Sequence, residues 1–194
     1  MRDRAAYILV GGKSSRFGSD KALIDIAGRP LALHLADVVS GAAGPVTFVG
    51  PPGRYEHLGL PRIPDIEPDV GPLAGIVAAL EHTPARWNLI LACDMPLLST
   101  PFLDFLFTRA EIGGPDVVMP VSPDGRDEPL CAVYARTSAS TLRREIEKGT
   151  RKITRAFAGM TVQRIPPGEY AHIDAHGRVF TNVNTLAEWE RFEK

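Results

Sequence analysis

Short apolar runs alternate with stretches whose apolar residues recur every three or four positions, and this alternation continues well past the middle of the chain. Alternation of this kind builds a mostly parallel sheet with helices on both faces, because each crossover between parallel strands must pass over the sheet. Residues 6–10 form the first strand-like run, and Gly28-Arg29-Pro30 turns the chain before Leu31, Leu35, Val38 and Val39 recur at helical spacing towards Gly41 and Gly44. Residues 46–49 read as a second strand, and the prolines around Arg62-Ile63-Pro64-Asp65 assign that piece to an edge or loop. A helix is predicted from the turn at residues 69–76 through about His82, and residues 87–92 form the most apolar strand, ending at Cys93-Asp94-Met95-Pro96. Beyond it the pattern predicts a helix over 101–109 and strands at 116–120 and 130–134 around the polar loop 122–128. The last third predicts helices near 138–148 and 152–157, short strands at 162–165 and 171–174, and a closing helix from about Leu186. A chain of 194 residues with 44% hydrophobic content fits one α/β domain spanning 1–194.

The first strand runs straight into Gly11-Gly12-Lys13-Ser14-Ser15-Arg16-Phe17-Gly18-Ser19-Asp20-Lys21. Glycines remove side chains so that amide N–H groups can approach phosphate oxygens, while Arg16 and Lys21 can neutralise charge that amides alone cannot. Two familiar spacings fail: the first glycine of a P-loop would fall on Tyr7, and the dinucleotide fingerprint breaks where Lys13 stands two places after Gly11. Open α/β sheets place ligands at the carboxyl ends of their strands, which is where Asp94 follows the most apolar run and Pro96 stiffens the chain. Alone, Asp94 reads equally as a helix cap and Lys21 as a solvated lysine. Together they describe a Mg²⁺-dependent transferase that uses a nucleoside triphosphate, where the protein's task is alignment and charge neutralisation.

Charge and composition narrow the alternatives. Lys and Arg total 22 against 23 for Asp and Glu, so the chain lacks the basic field that a nucleic-acid partner demands. The apolar run at residues 5–10 is too short for a signal-peptide core, and no later run approaches a membrane span, so a cytoplasmic protein is expected. Cys93 and Cys131 read as inert core thiols, and His172-x-Asp174-x-His176 as a turn between two short strands rather than a metal site.

Residues 9–23 resemble the signature of the molybdenum cofactor guanylyltransferases, Leu-Ala-Gly-Gly-x-Ser-x-Arg-Met-Gly-x-Asp-Lys-Ala-Leu, with Val10 and Phe17 as departures. Residues 71–76, Cys93-Asp94-Met95-Pro96 and residues 180–185 extend the likeness; in the last block Leu186 replaces the family's proline after Asn-x-Asn-Thr. The resemblance implies a Rossmann-like nucleotidyltransferase fold, with the nucleotide bound by about residues 1–100 and the acceptor by about 101–194. It implies transfer of GMP from GTP to molybdopterin, with Arg16, Lys21 and Asp94 catalytic and Asp94 holding Mg²⁺. Leu9, Val10, Gly11, Gly12, Lys21, Asp65, Gly71 and Asp94 would bind GTP, and Asn182 and Asn184 would face the acceptor. It further implies a monomer that meets maturation proteins of molybdoenzymes.

Several residues keep two readings. Asp20 either orients Lys21 or caps the following helix, and Asp65 is either a nucleotide ligand or an ordinary turn residue. Gly50 stands where related members carry an asparagine near the base, so base recognition there must use backbone groups or another side chain. Arg126, Arg151 and Lys152 are either surface charges or contacts for the acceptor's phosphate. Two alternatives compete: a cytidylyltransferase or other nucleotidyltransferase acting on molybdopterin or a small phosphorylated acceptor, and a non-catalytic nucleotide-binding partner protein. The intact Lys21 and Asp94 argue against the second.

Overall fold

The computed structural model describes residues 3–10, 20–26, 28–66 and 70–181. In chain order these form β1 (Arg4–Leu9), the small hairpin β2 (Asp25–Ile26) and β3 (Arg29–Pro30), α1 (Leu31–Ala43), β4 (Val46–Val49) and β5 (Arg62–Ile63). There follow α2 (Pro72–His82), β6 (Trp87–Ala92), α3 (Thr100–Gly113), β7 (Val117–Pro120), β8 (Cys131–Ala135), α4 (Ala139–Glu147), α5 (Ile153–Ala156), β9 (Val162–Ile165) and α6 (Pro167–Tyr170). Seven strands make one sheet in the order β5-β4-β1-β6-β8-β7-β9, and β8 alone runs against its neighbours. Its reversal follows from connection length. Residues 121–130 are too few to carry a helix back across the sheet, so the chain returns by a hairpin-like loop closed by the Val121–Asp127 bridge.

Period-two alternation divides the core between two faces. Ile8, Phe48, Leu89 and Leu91 point towards α1 and α3, where Leu31, Leu35, Val39, Phe102 and Leu106 are fully buried. Tyr7, Ile90 and Tyr134 point the other way, against Leu73, Ile76, Val77 and Leu80 of α2 and Leu142 and Ile146 of α4. β6 is flanked on both sides and covered on both faces, which explains its apolar run from Leu89 to Ala92, while the buried Asn88 near its start donates to the Ala85 carbonyl. No helix among the described residues is long and apolar enough to cross a membrane.

One expected strand is absent. Residues 171–174 form turns after α6, because the N–H groups of Ile173 and Asp174 both bond back to the Tyr170 carbonyl and are lost to any ladder. The expected turn at residues 174–177 is present, with Asp174 accepting from the N–H groups of Arg178 and Val179. The predicted closing helix from Leu186 lies outside the described residues.

Candidate active site

Every strand of the main sheet except β8 points the same way, so their carboxyl ends share one edge. The register pairs Leu9 with Ala92, so the end of β1 lies beside the end of β6, two residues before Asp94. The Val10 N–H donates to the Val49 carbonyl at 2.8 Å, tying this corner to β4 as well.

Lys21 arrives from a short 3₁₀ turn over residues 21–23. Its Nζ stands 3.5 Å from Asp94 Oδ2, with the two side chains 20% and 28% exposed, so both can reach a ligand above the edge. The thiol of the adjacent Cys93 is pushed up to about 12 by burial and by the Asp94 and Asp20 carboxylates. It is therefore protonated near neutrality, although Cys93 is only partly buried and follows the end of β6, whereas Cys131 is the fully buried core thiol expected. Asp20 caps the turn, accepting from the Ala22 N–H at 3.2 Å, while its other oxygen accepts from the Tyr55 hydroxyl at 2.7 Å and forms an ion pair with Arg54 Nε at 3.0 Å. Capping is thus one of its roles, and the ties to Arg54 and Tyr55 were invisible in the linear chain.

On the far side of Leu9, Asp65 is half-buried, and desolvation holds its carboxyl above the usual range. It takes no hydrogen bond from the described residues. A Cβ on Gly75 would stand 2.9 Å from Asp65 Oδ1 and 3.0 Å from Leu9 Cδ2, so this glycine lets both side chains lie against the first turn of α2. Gly71 is glycine for another reason: it precedes α2 at φ +84°, a conformation that side chains strain, with open space around it. At Gly50 the obstacle is backbone, since a Cβ would meet the Val10 carbonyl oxygen at 2.4 Å. No asparagine fits that position here without moving the corner of the site.

The edge continues through the loop 121–130. The Ala92 N–H donates to the Leu130 carbonyl at 2.9 Å, which places Glu128, Pro129 and Leu130 beside Asp94. Burial pushes the half-buried Glu128 carboxyl up, and Asp94 adds to that push. Sequence reading passed over this acid; its place just before Pro129 and a buried strand was the available signal. Arg126 is 71% exposed and pairs with Asp124 at 2.7 Å, and Arg151 donates to the Ile146 and Thr150 carbonyls, so neither is drawn to Asp94. Lys148, Gly149, Thr150, Arg151, Lys152 and Arg155 instead line an open cleft of about 380 Å³ after α4. Because β8 ends at the opposite edge, α4 returns from there and carries this basic cleft back towards the edge that holds Asp94.

Among the described residues no group of three or more His, Cys, Asp and Glu side chains can hold a metal, His172, Asp174 and His176 included. Asp94 fits a divalent cation in a sparser way: a hard, partly exposed oxygen donor paired with a lysine that phosphate oxygens can replace. Gly11, Gly12, Lys13, Arg16, Asn182 and Asn184 lie outside the described residues.

A sheet with this strand order, one reversed strand, and a lysine and an aspartate at its carboxyl edge defines a Rossmann-like nucleotidyltransferase. The chain belongs to the family of MobA-like NTP transferase domains, whose pattern matches residues 6–163. It is 30% identical to a probable molybdenum cofactor guanylyltransferase of Flavobacterium johnsoniae, over 97% of this chain and 95% of that one. With the molybdenum cofactor guanylyltransferase of Ralstonia nicotianae it shares 35% identity, over 96% and 94%. The crystal structure of molybdopterin-guanine dinucleotide biosynthesis protein A from Archaeoglobus fulgidus superposes with a TM-score of 0.82 at 29% identity, covering 96% of this chain and 95% of that one.

Proposed function

We propose that this protein transfers GMP from GTP to molybdopterin, forming the guanine dinucleotide of the cofactor and releasing pyrophosphate. The observation that carries the reading is the Lys21–Asp94 pair at the carboxyl edge, in a chain that matches guanylyltransferases nearly end to end. In the reaction a phosphate oxygen of the acceptor attacks the α-phosphorus of GTP, a new P–O bond forms, and the bond to the bridging oxygen of pyrophosphate breaks. Lys21 leaves Asp94 for the triphosphate oxygens and meets the charge that builds on the departing pyrophosphate, and Arg16 grips the same oxygens through two N–H groups. Asp94 would hold Mg²⁺, which when bound supplies charge neutralisation across the phosphates. Leu9, Val10, Gly11 and Gly12 line the nucleotide with backbone groups, and Asp65 and Gly71 bound its nucleoside end.

The acceptor lies towards residues 101–194, with Asn182 and Asn184 beside it and its phosphate drawn by Arg151 and Lys152 of the basic cleft. The protein works in the cytoplasm as a monomer and passes its product to maturation proteins of molybdoenzymes. Purified protein given metal-loaded molybdopterin and either GTP or CTP should release pyrophosphate with GTP. Release with CTP alone would reject the guanine assignment and leave nucleotidyl transfer standing.

A further inference from the structure

Tyr55 is 1% exposed, and its ring belongs to the core between the sheet and α1. Two other deeply buried tyrosines, Tyr134 and Tyr170, satisfy their hydroxyls on backbone carbonyls, of Pro129 at 2.7 Å and Val121 at 2.6 Å. Tyr55 instead sends its hydroxyl 2.7 Å to Asp20 Oδ2, an acid one residue before Lys21 and 35 positions away in the chain. Arg54 stacks its guanidinium over the Tyr55 ring, 5.7 Å from the centroid, and forms an ion pair with the same oxygen, its Nε at 3.0 Å. With the Ala22 N–H on the other oxygen, the Asp20 carboxylate is held from three directions. Burial, followed by the bond to Asp20 and its charge, raises the phenol's proton affinity, so Tyr55 remains a donor throughout the neutral range.

Two effects follow. The 3₁₀ turn that presents Lys21 is anchored to the β4–β5 connection, and a negative charge next to Lys21 is occupied by other donors. An untied Asp20 could turn to the Lys21 ammonium, competing with Asp94 and with any incoming phosphate. We infer that Tyr55 is a positioning residue for triphosphate binding: its hydroxyl, seconded by Arg54, fixes Asp20 and thereby sets the Lys21 ammonium at the Asp94 edge.

This inference rests on reading Lys21 as a triphosphate ligand, and the test separates the two. GTP affinity is measured calorimetrically for wild type, Tyr55→Phe, Lys21→Ala and the double variant, with thermal unfolding of each as a check on folding. Tyr55→Phe keeps the ring and removes one hydrogen bond to a charged group, so GTP binding should weaken about tenfold. Lys21→Ala should weaken it further, and Tyr55→Phe should add nothing on top of Lys21→Ala, because the tyrosine acts through that lysine. A merely structural tyrosine would lower the unfolding temperature and leave GTP affinity alone. If Lys21→Ala weakens binding while Tyr55→Phe does not, or if the two losses simply add, the positioning role is wrong and Lys21 keeps its assignment. If Lys21→Ala binds GTP like wild type, the Lys21 assignment fails and the inference with it. Should Tyr55→Phe not fold, Arg54→Gln removes the ion pair to Asp20 at a half-exposed site. It should weaken GTP binding about two- to threefold, again only when Lys21 is present, and unchanged binding would overturn the inference.

Discussion

Replacing Gly75 with alanine sets two effects of known sign against each other. Inside α2 an alanine is a better helix former than glycine by about 1 kcal/mol, so on propensity alone the variant gains stability. The new Cβ would stand 2.9 Å from Asp65 Oδ1 and 3.0 Å from Leu9 Cδ2, closer than side chains tolerate, and overpacking of this kind costs about 1–3 kcal/mol. The net change in stability is then between zero and a loss of about 2 kcal/mol, which lowers the unfolding temperature by at most about 8 °C for a domain of this size. Both crowded groups are flexible ends of side chains, so the strain is relieved by moving them, and both belong to the proposed nucleotide site. If Asp65 binds the nucleotide as proposed, displacing it should weaken that contact by about 1–2 kcal/mol, a 5- to 30-fold loss of GTP affinity. Calorimetric titration with GTP, alongside thermal unfolding, measures both numbers, and Asp65→Ala in the same assay sets the largest loss attainable through this residue. A Gly75→Ala protein that binds GTP as well as wild type while Asp65→Ala does not would refute the claim that this glycine seats Asp65.

Further expectations follow from the same geometry. Asp94→Asn should retain the fold by circular dichroism yet lose pyrophosphate release by at least about a hundredfold, and near-normal turnover would remove Asp94 from the chemistry. Gly50→Asn meets backbone rather than a flexible side chain, with its Cβ 2.4 Å from the Val10 oxygen, so urea unfolding should show a loss of about 2–4 kcal/mol. The partly buried Cys93 thiol, raised from 9.0 to about 12, should react more slowly with alkylating agents in the native protein than once unfolded. Because the folded state holds that proton more tightly, the stability it contributes is whole below pH 9.0 and falls as pH rises towards about 12; unfolding curves flat across that window would contradict the burial of the thiol.

Local patterns were the part of this fold that the linear chain displayed. The strands at residues 46–49 and 162–165 have the expected bounds: the first is a short apolar and β-branched run, the second begins and ends on β-branched Val162 and Ile165, and both have turn residues on either side. The direction of β8 was not legible, because it depends on whether residues 121–130 can cross the sheet, and composition does not say. Residues 171–174 misled because alternating side chains suggest a strand even where the N–H groups are already spent on the Tyr170 carbonyl. At the site, Lys21 and Asp94 could be named separately, each by the motif around it, while their 3.5 Å approach is a product of the β1–β6 pairing. Asp20 stayed between two readings for the same reason: its partners Arg54 and Tyr55 lie on another connection, and side-chain contacts over such separations leave no local trace. Gly50, Gly71 and Gly75 look alike in sequence, yet one is demanded by a neighbouring carbonyl, one by backbone conformation and one by a carboxylate.

The central claim is that this carboxyl edge moves the α-phosphorus of GTP, with its nucleoside, onto molybdopterin. Following phosphorus-32 from GTP labelled at either the α or the γ position tests it most directly. Label from the α position should appear in the dinucleotide product, and label from the γ position should appear wholly in pyrophosphate. Label from the γ position on the acceptor, or GDP and inorganic phosphate as the products, would contradict it.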